Sequence, residues 1–423
     1  MARVQASREL DIPDLTDNNK WGSVQIGVFI LCSLCLIMDG FDVQAMGYVA
    51  PAIIDDWHIA RADLGPIFSA GLVGVLAGSL LFSMLADRIG RRPVLIGASL
   101  YFSAATILTA RAGSLNQLLA IRFIAGVGLG GIMPNAVALV GEYTSRALRI
   151  TMMMIVSNGF TAGAALGGFV SALLIPHYGW RSVFYFGGTV PVIIAVLMVF
   201  LLPESPEFRV LRGKLLPAKR REGLPILQLF SHGRATVTSL LWIVNFMNLL
   251  NLYFLSNWLP TVVKDSGYTN SAGVLVGTTL QVGGTIGALG LGWLIGRLGF
   301  VSILTACFTL AGISIALIGD RALPLTLLFV AVFIAGLCIV GGQSAVNALA
   351  GTYYPTELRS TGIGSGLGVG RIGAIVGPVL GGEAMRYHWP TQRLFLAAAV
   401  PALISAVVML SLHWAMEPQA KVR

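Results

Sequence analysis

The amino-acid sequence predicts an all-α integral membrane protein. It expects twelve transmembrane helices in two parallel-repeated six-helix bundles, with both termini cytoplasmic. Three observations carry this expectation. Of 423 residues, 56% are hydrophobic and only 11% charged, with a mean hydropathy of +0.80; soluble domains carry about 25% charged residues. The apolar residues gather in twelve runs of a length that crosses a bilayer ~30 Å thick at ~1.5 Å per residue. Blocks of sequence also recur at one spacing. Gly78…Leu85-Ala86-Asp87-Arg88-Ile89-Gly90 matches Gly287…Leu294-Ile295-Gly296-Arg297-Leu298-Gly299 at an offset of 209. Gly141-x-Tyr143…Leu148-Arg149 and Gly163-Ala164…Gly167 match Gly351-x-Tyr353…Leu358-Arg359 and Gly373-Ala374…Gly377 at 210. Six-span halves in the same orientation form a parallel repeat, which places a binding site between them near the midplane.

In chain order, a polar, acidic tail (1–22) lacks the basic and apolar regions of a signal peptide. The first bundle, 23–202, contains runs at about 23–50, 63–86, 93–110, 115–143, 150–175 and 181–202. A Lys-, Arg- and Pro-rich linker, 203–233, separates it from the second bundle, 234–415, with runs at about 234–262, 271–296, 300–319, 323–352, 360–386 and 392–415. A short tail, 416–423, closes the chain. With the N-terminus inside, the inside segments hold 19 Lys and Arg and the outside loops seven, as the positive-inside rule requires. That distribution accounts for the net charge of +9 without nucleic acid. The four cysteines (Cys32, Cys35, Cys307, Cys338) lie in apolar runs and read as small buried residues. The five histidines lie near span ends or in loops. No Walker-type loop, metal spacing or triad is present, which argues against ATP as energy source and against an enzyme. No cofactor beyond a coupling proton is expected.

The chain is organised around Ile37-Met38-Asp39-Gly40-Phe41-Asp42-Val43-Gln44 in span one. An ionised Asp near the bilayer centre costs roughly 2.5–3.5 kcal/mol on insertion scales. Asp39 and Asp42, at i and i+3, share a helix face. That face looks at water, a cation or a proton, as a static ion pair or as a proton-carrying site. Arg122, ~10 Å into span four, reaches the depth of both carboxylates. It is either a permanent bridge to one of them or a partner that substrate and proton displace. Arg371, ~16 Å into span eleven, has no acidic neighbour on its own helix. Its planar fork suits a substrate carboxylate or an interhelical bond. Asn245, Asn248 and Asn251 in span seven, and Gln343 and Asn347 in span ten, are either glue between helices or readers of ring hydroxyls. Tyr253, Phe254, Trp258, Phe41 and Phe160 are candidate aromatic walls. In the loop between spans two and three, Asp87 stands among Arg88, Arg91 and Arg92. It is expected to latch onto Glu142 or Arg146, or onto the start of span eleven after Arg359.

The Asp87-Arg88-Ile89-Gly90-Arg91-Arg92 loop resembles the signature of the major facilitator superfamily. So do Arg122-Phe123-Ile124-Ala125-Gly126-Val127-Gly128-Leu129-Gly130-Gly131 and Pro203-Glu204-Ser205-Pro206-Glu207-Phe208. Asp39-Gly40-Phe41-Asp42 resembles the aromatic acid/proton symporters within it. Asn248-Leu249-Leu250-Asn251-Leu252-Tyr253-Phe254 with Trp258-Leu259-Pro260, and Gly370-Arg371-Ile372-Gly373, are similar to the same group. The resemblance spans the chain, but the second-half loop departs from it at Gly296 and Phe300. It implies a major facilitator fold and import of a hydroxybenzoate-like monoanion with protons by alternating access, in a bacterial cytoplasmic (inner) membrane. A monomer is expected. Transport of another organic acid, proton-driven export, and a membrane sensor of the same acids remain as rivals.

Overall fold

The computed structural model of the chain describes residues 22–145, 148–206, 208, 225–231, 233–320 and 323–420. Arg146, the first 21 residues, most of the linker and the last three residues lie outside this set. Among the described residues, twelve helices are long and apolar enough to cross a membrane. They are Ser23–Trp57, Arg61–Ile89, Arg91–Thr109, Leu115–Tyr143, Thr151–Tyr178 and Arg181–Leu201 in the first half. Ala235–Asp265, Asn270–Leu298, Phe300–Ile318, Leu325–Tyr353, Thr361–Arg386 and Thr391–Leu412 follow in the second. Here they are spans one to twelve. Span one continues through Pro51 to Trp57, beyond the end expected from sequence.

The two halves are built alike. Span one packs on five, two on four and three on six; seven packs on eleven, eight on ten and nine on twelve. In lipid, close backbone approach through small residues replaces the hydrophobic drive to associate, and glycine supplies it at equivalent positions. A Cβ on Gly163 would lie 1.9 Å from the carbonyl oxygen of Ile37, and one on Gly373 2.2 Å from that of Phe246. The same holds for Gly74 against Phe123 and Gly283 against Phe333. Spans one and seven therefore superpose at the offset of 209, which sets Asn248 and Asn251 where the first half has Asp39 and Asp42.

The halves touch through spans one and seven, two and eleven, and five and eight. Among the described residues, the hydrogen bonds and ion pairs seen to join them lie toward the face that carries residues 57–63. At its rim Lys264 pairs with Asp55, Arg61 Nη2 lies 2.7 Å from Asp265, and Lys264 Nζ donates to the Pro51 carbonyl at 3.2 Å. Deeper, Ser69 Oγ donates to the Ile375 carbonyl, and Phe68 meets Trp258 edge-on at 5.1 Å. Deeper still, Gln44 Nε2 donates to the Ser256 carbonyl at 2.6 Å. Gln281 Nε2 reaches Ser256 Oγ at 3.0 Å and Gln44 Oε1 at 3.3 Å. None of these bonds lies toward the opposite face, marked by the Gly90 turn.

Candidate functional site

Span one brings Asp39 and Asp42 to mid-bundle and treats them differently. Asp42 is fully buried. It accepts from Thr106 Oγ1 at 2.8 Å and from Arg122 Nη2 at 3.0 Å. Arg122 also donates to the Asp42 backbone carbonyl at 3.3 Å, and its guanidinium lies 5.8 Å from the centre of the Phe184 ring. Its Nη1 is buried without a partner. Spans one, three, four and six thus form a closed polar cell within the first half.

Asp39 is buried, at 4% exposure, and makes no hydrogen bond or ion pair with a described residue. Arg371 of span eleven, across the seam, lies within electrostatic range of it, and the Tyr253 hydroxyl lies within range of both. Arg371 is half-buried and likewise has no bonded partner among the described residues. Its direction follows from packing. Gly366, Gly370, Gly373 and Gly377 form a stripe that seats span eleven on span seven, and Arg371 stands about 100–160° round the helix from that stripe. Beside these groups runs a narrow cavity lined by Val43, Met46, Leu72, Arg122, Tyr253 and Asn257. The arrangement offers a cation to an incoming anion and leaves one carboxylate without a matched bond.

Several expected binding residues stand elsewhere. Phe41 is two residues from Asp39, about 200° round the helix, so it faces into the first half. There it is fully buried, 5.5 Å from Phe186 and against Gly167 and Gly187; it does not line the site. Four of the amides of spans seven and ten bond one another, whereas Asn251 is fully buried with both amide atoms unpartnered. Asn248 Nδ2 donates to Gln343 Oε1 at 2.8 Å and to the Ile339 carbonyl at 3.0 Å. Gln343 Nε2 donates to Asn245 Oδ1 at 2.8 Å and Asn347 Oδ1 at 3.3 Å. With Asn245, Asn248 and Gln343 buried, these bonds hold helices together in this conformation, while the Asn248 Oδ1 acceptor is left unpartnered. Phe254 packs on Phe395, and Trp258 Nε1 donates to the Pro378 carbonyl at 2.9 Å; both are core.

Among the described residues, the expected Asp87 latch is not made in this conformation. Asp87 and Arg88 are exposed and bond to no described residue; Arg146 lies outside the described set. Glu142 is taken instead by Arg91, whose Nε lies at 2.6 Å, and by the Ser205 hydroxyl. Arg92 Nη2 donates to the Val199 carbonyl. Glu204 Oε1 accepts from the backbone N–H of Arg91 at 2.9 Å and of Arg92 at 3.2 Å, meeting the positive start of span three. Gly90, at φ +101°, makes the turn that allows it. This knot stays inside the first half.

Sequence reasoning gave no role to Thr106, Gln44, Ser256 or Gln281. Thr106 sits in an apolar run with nothing to mark it. Gln44 ends the double-Asp stretch and was the one available signal. Among the described residues no three His, Cys, Asp or Glu side chains gather as a metal would require.

The description Major Facilitator Superfamily matches residues 32–319 and 241–423. The chain is 36% identical to the 4-hydroxybenzoate transporter PcaK of Pseudomonas putida, over 96% of each chain. It is 36% identical to the gallate transporter of the same organism, over 97% of each. It is 35% identical to the 3-(3-hydroxy-phenyl)propionate transporter of Escherichia coli, over 90% of this chain and 92% of the relative. Among solved structures, the D-xylose-proton symporter superposes with a TM-score of 0.75 at 15% identity, covering 92% of this chain and 97% of that one. The nucleoside transporter NupG does so with 0.72 at 14%, covering 93% and 99%; at such identities the likeness is one of fold. The chain belongs to the Major Facilitator Superfamily and, within it, to the family of aromatic acid transporters.

Proposed function

We propose that the protein imports an aromatic carboxylate together with a proton across a bacterial cytoplasmic membrane. The observation that carries this reading is the Arg371–Asp39 pair across the seam: opposite charges within electrostatic range of each other and not bonded. A monoanion clamped on Arg371 takes over the cation within range of Asp39. Asp39 then needs a proton, because a lone buried carboxylate is costly. Empty, the site holds Arg371⁺ and Asp39⁻; loaded, it holds Arg371⁺, the anion and protonated Asp39. Both are neutral, so the proton and substrate enter together. Asp42 has its charge matched by Arg122 and holds the frame. The positive-inside count supports the Gly90 face as cytoplasmic, and the conformation is then open to the cytoplasm and shut outside. The relatives' substrates support a ring carboxylate bearing hydroxyls.

The test is uptake of labelled 4-hydroxybenzoate into proteoliposomes of the purified protein. Accumulation is expected under an imposed gradient, acidic outside, and only equilibration without it. Equal accumulation in both conditions would remove proton coupling. An outwardly directed preference under the same gradient would make the protein an exporter.

A further inference from the structure

The seam has two chemically opposite sides at positions that the internal repeat makes equivalent. At the offset of 209, Tyr253 corresponds to Gln44 and Gln281 to Leu72. On one side Leu72 and Tyr253 line the narrow cavity beside Arg122 and pack with Leu249, Ala374 and Ile375. On the other, Gln44 and Gln281 bond to each other and to Ser256, all three at 5% exposure or less. Two copies of one scaffold thus present an apolar, aromatic wall and an amide wall on opposite sides of the axis that relates the halves.

The amide wall is more than closure requires. Within a half, buried amides hold together helices that stay together, as Asn248 and Gln343 do. Gln44 lies in the first half, and Ser256 and Gln281 in the second, so alternating access must pull Gln44 away from the other two. Buried polar groups left unpaired are costly, so the amides need new partners whenever the outer side opens. An amide offers both a donor and an acceptor, which matches a phenolic hydroxyl. We propose that Gln44 and Gln281, with Ser256, form the subsite for the polar substituent of the substrate ring in the outward-open state. The ring itself then lies on the Leu72–Tyr253 side and the carboxylate on Arg371. This inference rests on the transport reading above and names its specificity element.

The experiment compares uptake of 4-hydroxybenzoate and of unsubstituted benzoate by the full chain in proteoliposomes, as the ratio of kcat/KM. The variants are Gln44→Met and Gln281→Met, nearly isosteric and without the amide, and Ser256→Ala. Breaking bonds across the seam shifts the opening equilibrium for both substrates by a common factor, so the ratio isolates recognition. Wild type is expected to prefer the hydroxylated acid, and each Met variant to lose about threefold to tenfold of that preference, the worth of one hydrogen bond. Benzoate uptake by the same variant reports that it has folded. An unchanged ratio, with both substrates shifted together, would make the cluster a gate only and overturn the proposal while leaving transport standing. Failure of wild type to take up either acid would overturn both.

Discussion

Arg122 commits one terminal nitrogen to Asp42: Nη2 lies 3.0 Å from Oδ2, while Nη1 is buried without a partner. Removing the carboxylate would strand a cation in the first half. Breaking one member of a buried pair costs about 3–5 kcal/mol. Asp42→Ala is therefore expected to lower the melting temperature strongly, whereas Asp39→Asn, at a position with no bond to lose, is expected to leave it near wild type. Thermal unfolding of the detergent-solubilised proteins measures this. The reverse order of the two variants would exchange their assigned roles.

Asp39→Asn is expected to abolish uphill accumulation driven by a pH gradient while retaining counterflow exchange of labelled for unlabelled substrate. Exchange needs only the anion site. Uphill accumulation at the wild-type rate would show that the proton is carried elsewhere.

For Arg371, a point charge does not replace a planar fork. Arg371→Lys is expected to weaken binding nearly as much as Arg371→Ala, by at least tenfold, or about 1.4 kcal/mol. Isothermal calorimetry with benzoate derivatives reads it directly. Affinity retained in Arg371→Ala would place the carboxylate on another group.

At the Gly90 turn, Glu142 holds Arg91 and Ser205 while Asp87 holds nothing among the described residues. Glu142→Ala is expected to destabilise by about 1–3 kcal/mol, the cost of unpairing charge-assisted bonds. Asp87→Asn is expected to leave melting unchanged and to act only on turnover, in the conformation where Asp87 finds a partner. A melting shift in Asp87→Asn as large as that in Glu142→Ala would place a bonded partner on Asp87 in this conformation.

The neutral bookkeeping of the site predicts uptake that ignores voltage. An inside-negative potassium/valinomycin potential without a pH gradient is expected to leave the rate unchanged. The potential is worth ~2.3 kcal/mol per charge per 100 mV, so a second proton per anion would register as clear stimulation.

The fold was legible because membrane spans announce themselves one by one and the halves repeat at one spacing. The charges were legible for a similar reason: in an apolar run each is costly, so Asp39, Asp42, Arg122 and Arg371 stand out by composition. Their pairing was not. Depth alone put Arg122 within reach of either Asp, and only packing chose Asp42. Amides were the weakest ground. Their cost in a membrane is small enough that glue and recognition look alike in sequence, and Asn248 and Gln281 differ only in whether the bonded helices share a half. Phe41 was misplaced because a motif was read as a block, although two residues along a helix reverse the direction of a side chain.

The rim of the closed face has an electrical consequence. Its two ion pairs run in opposite senses: the first half supplies Asp55 to Lys264 and Arg61 to Asp265. Each half thus brings one charge of each sign, and parting them displaces no net charge along the membrane normal. The rim then contributes no gating current. Its closure responds instead to ionic strength, since exposed pairs are screened over about 8–10 Å at physiological salt. A pre-steady-state capacitance recording would find this door electrically silent, and raised salt on that side would be what loosens it.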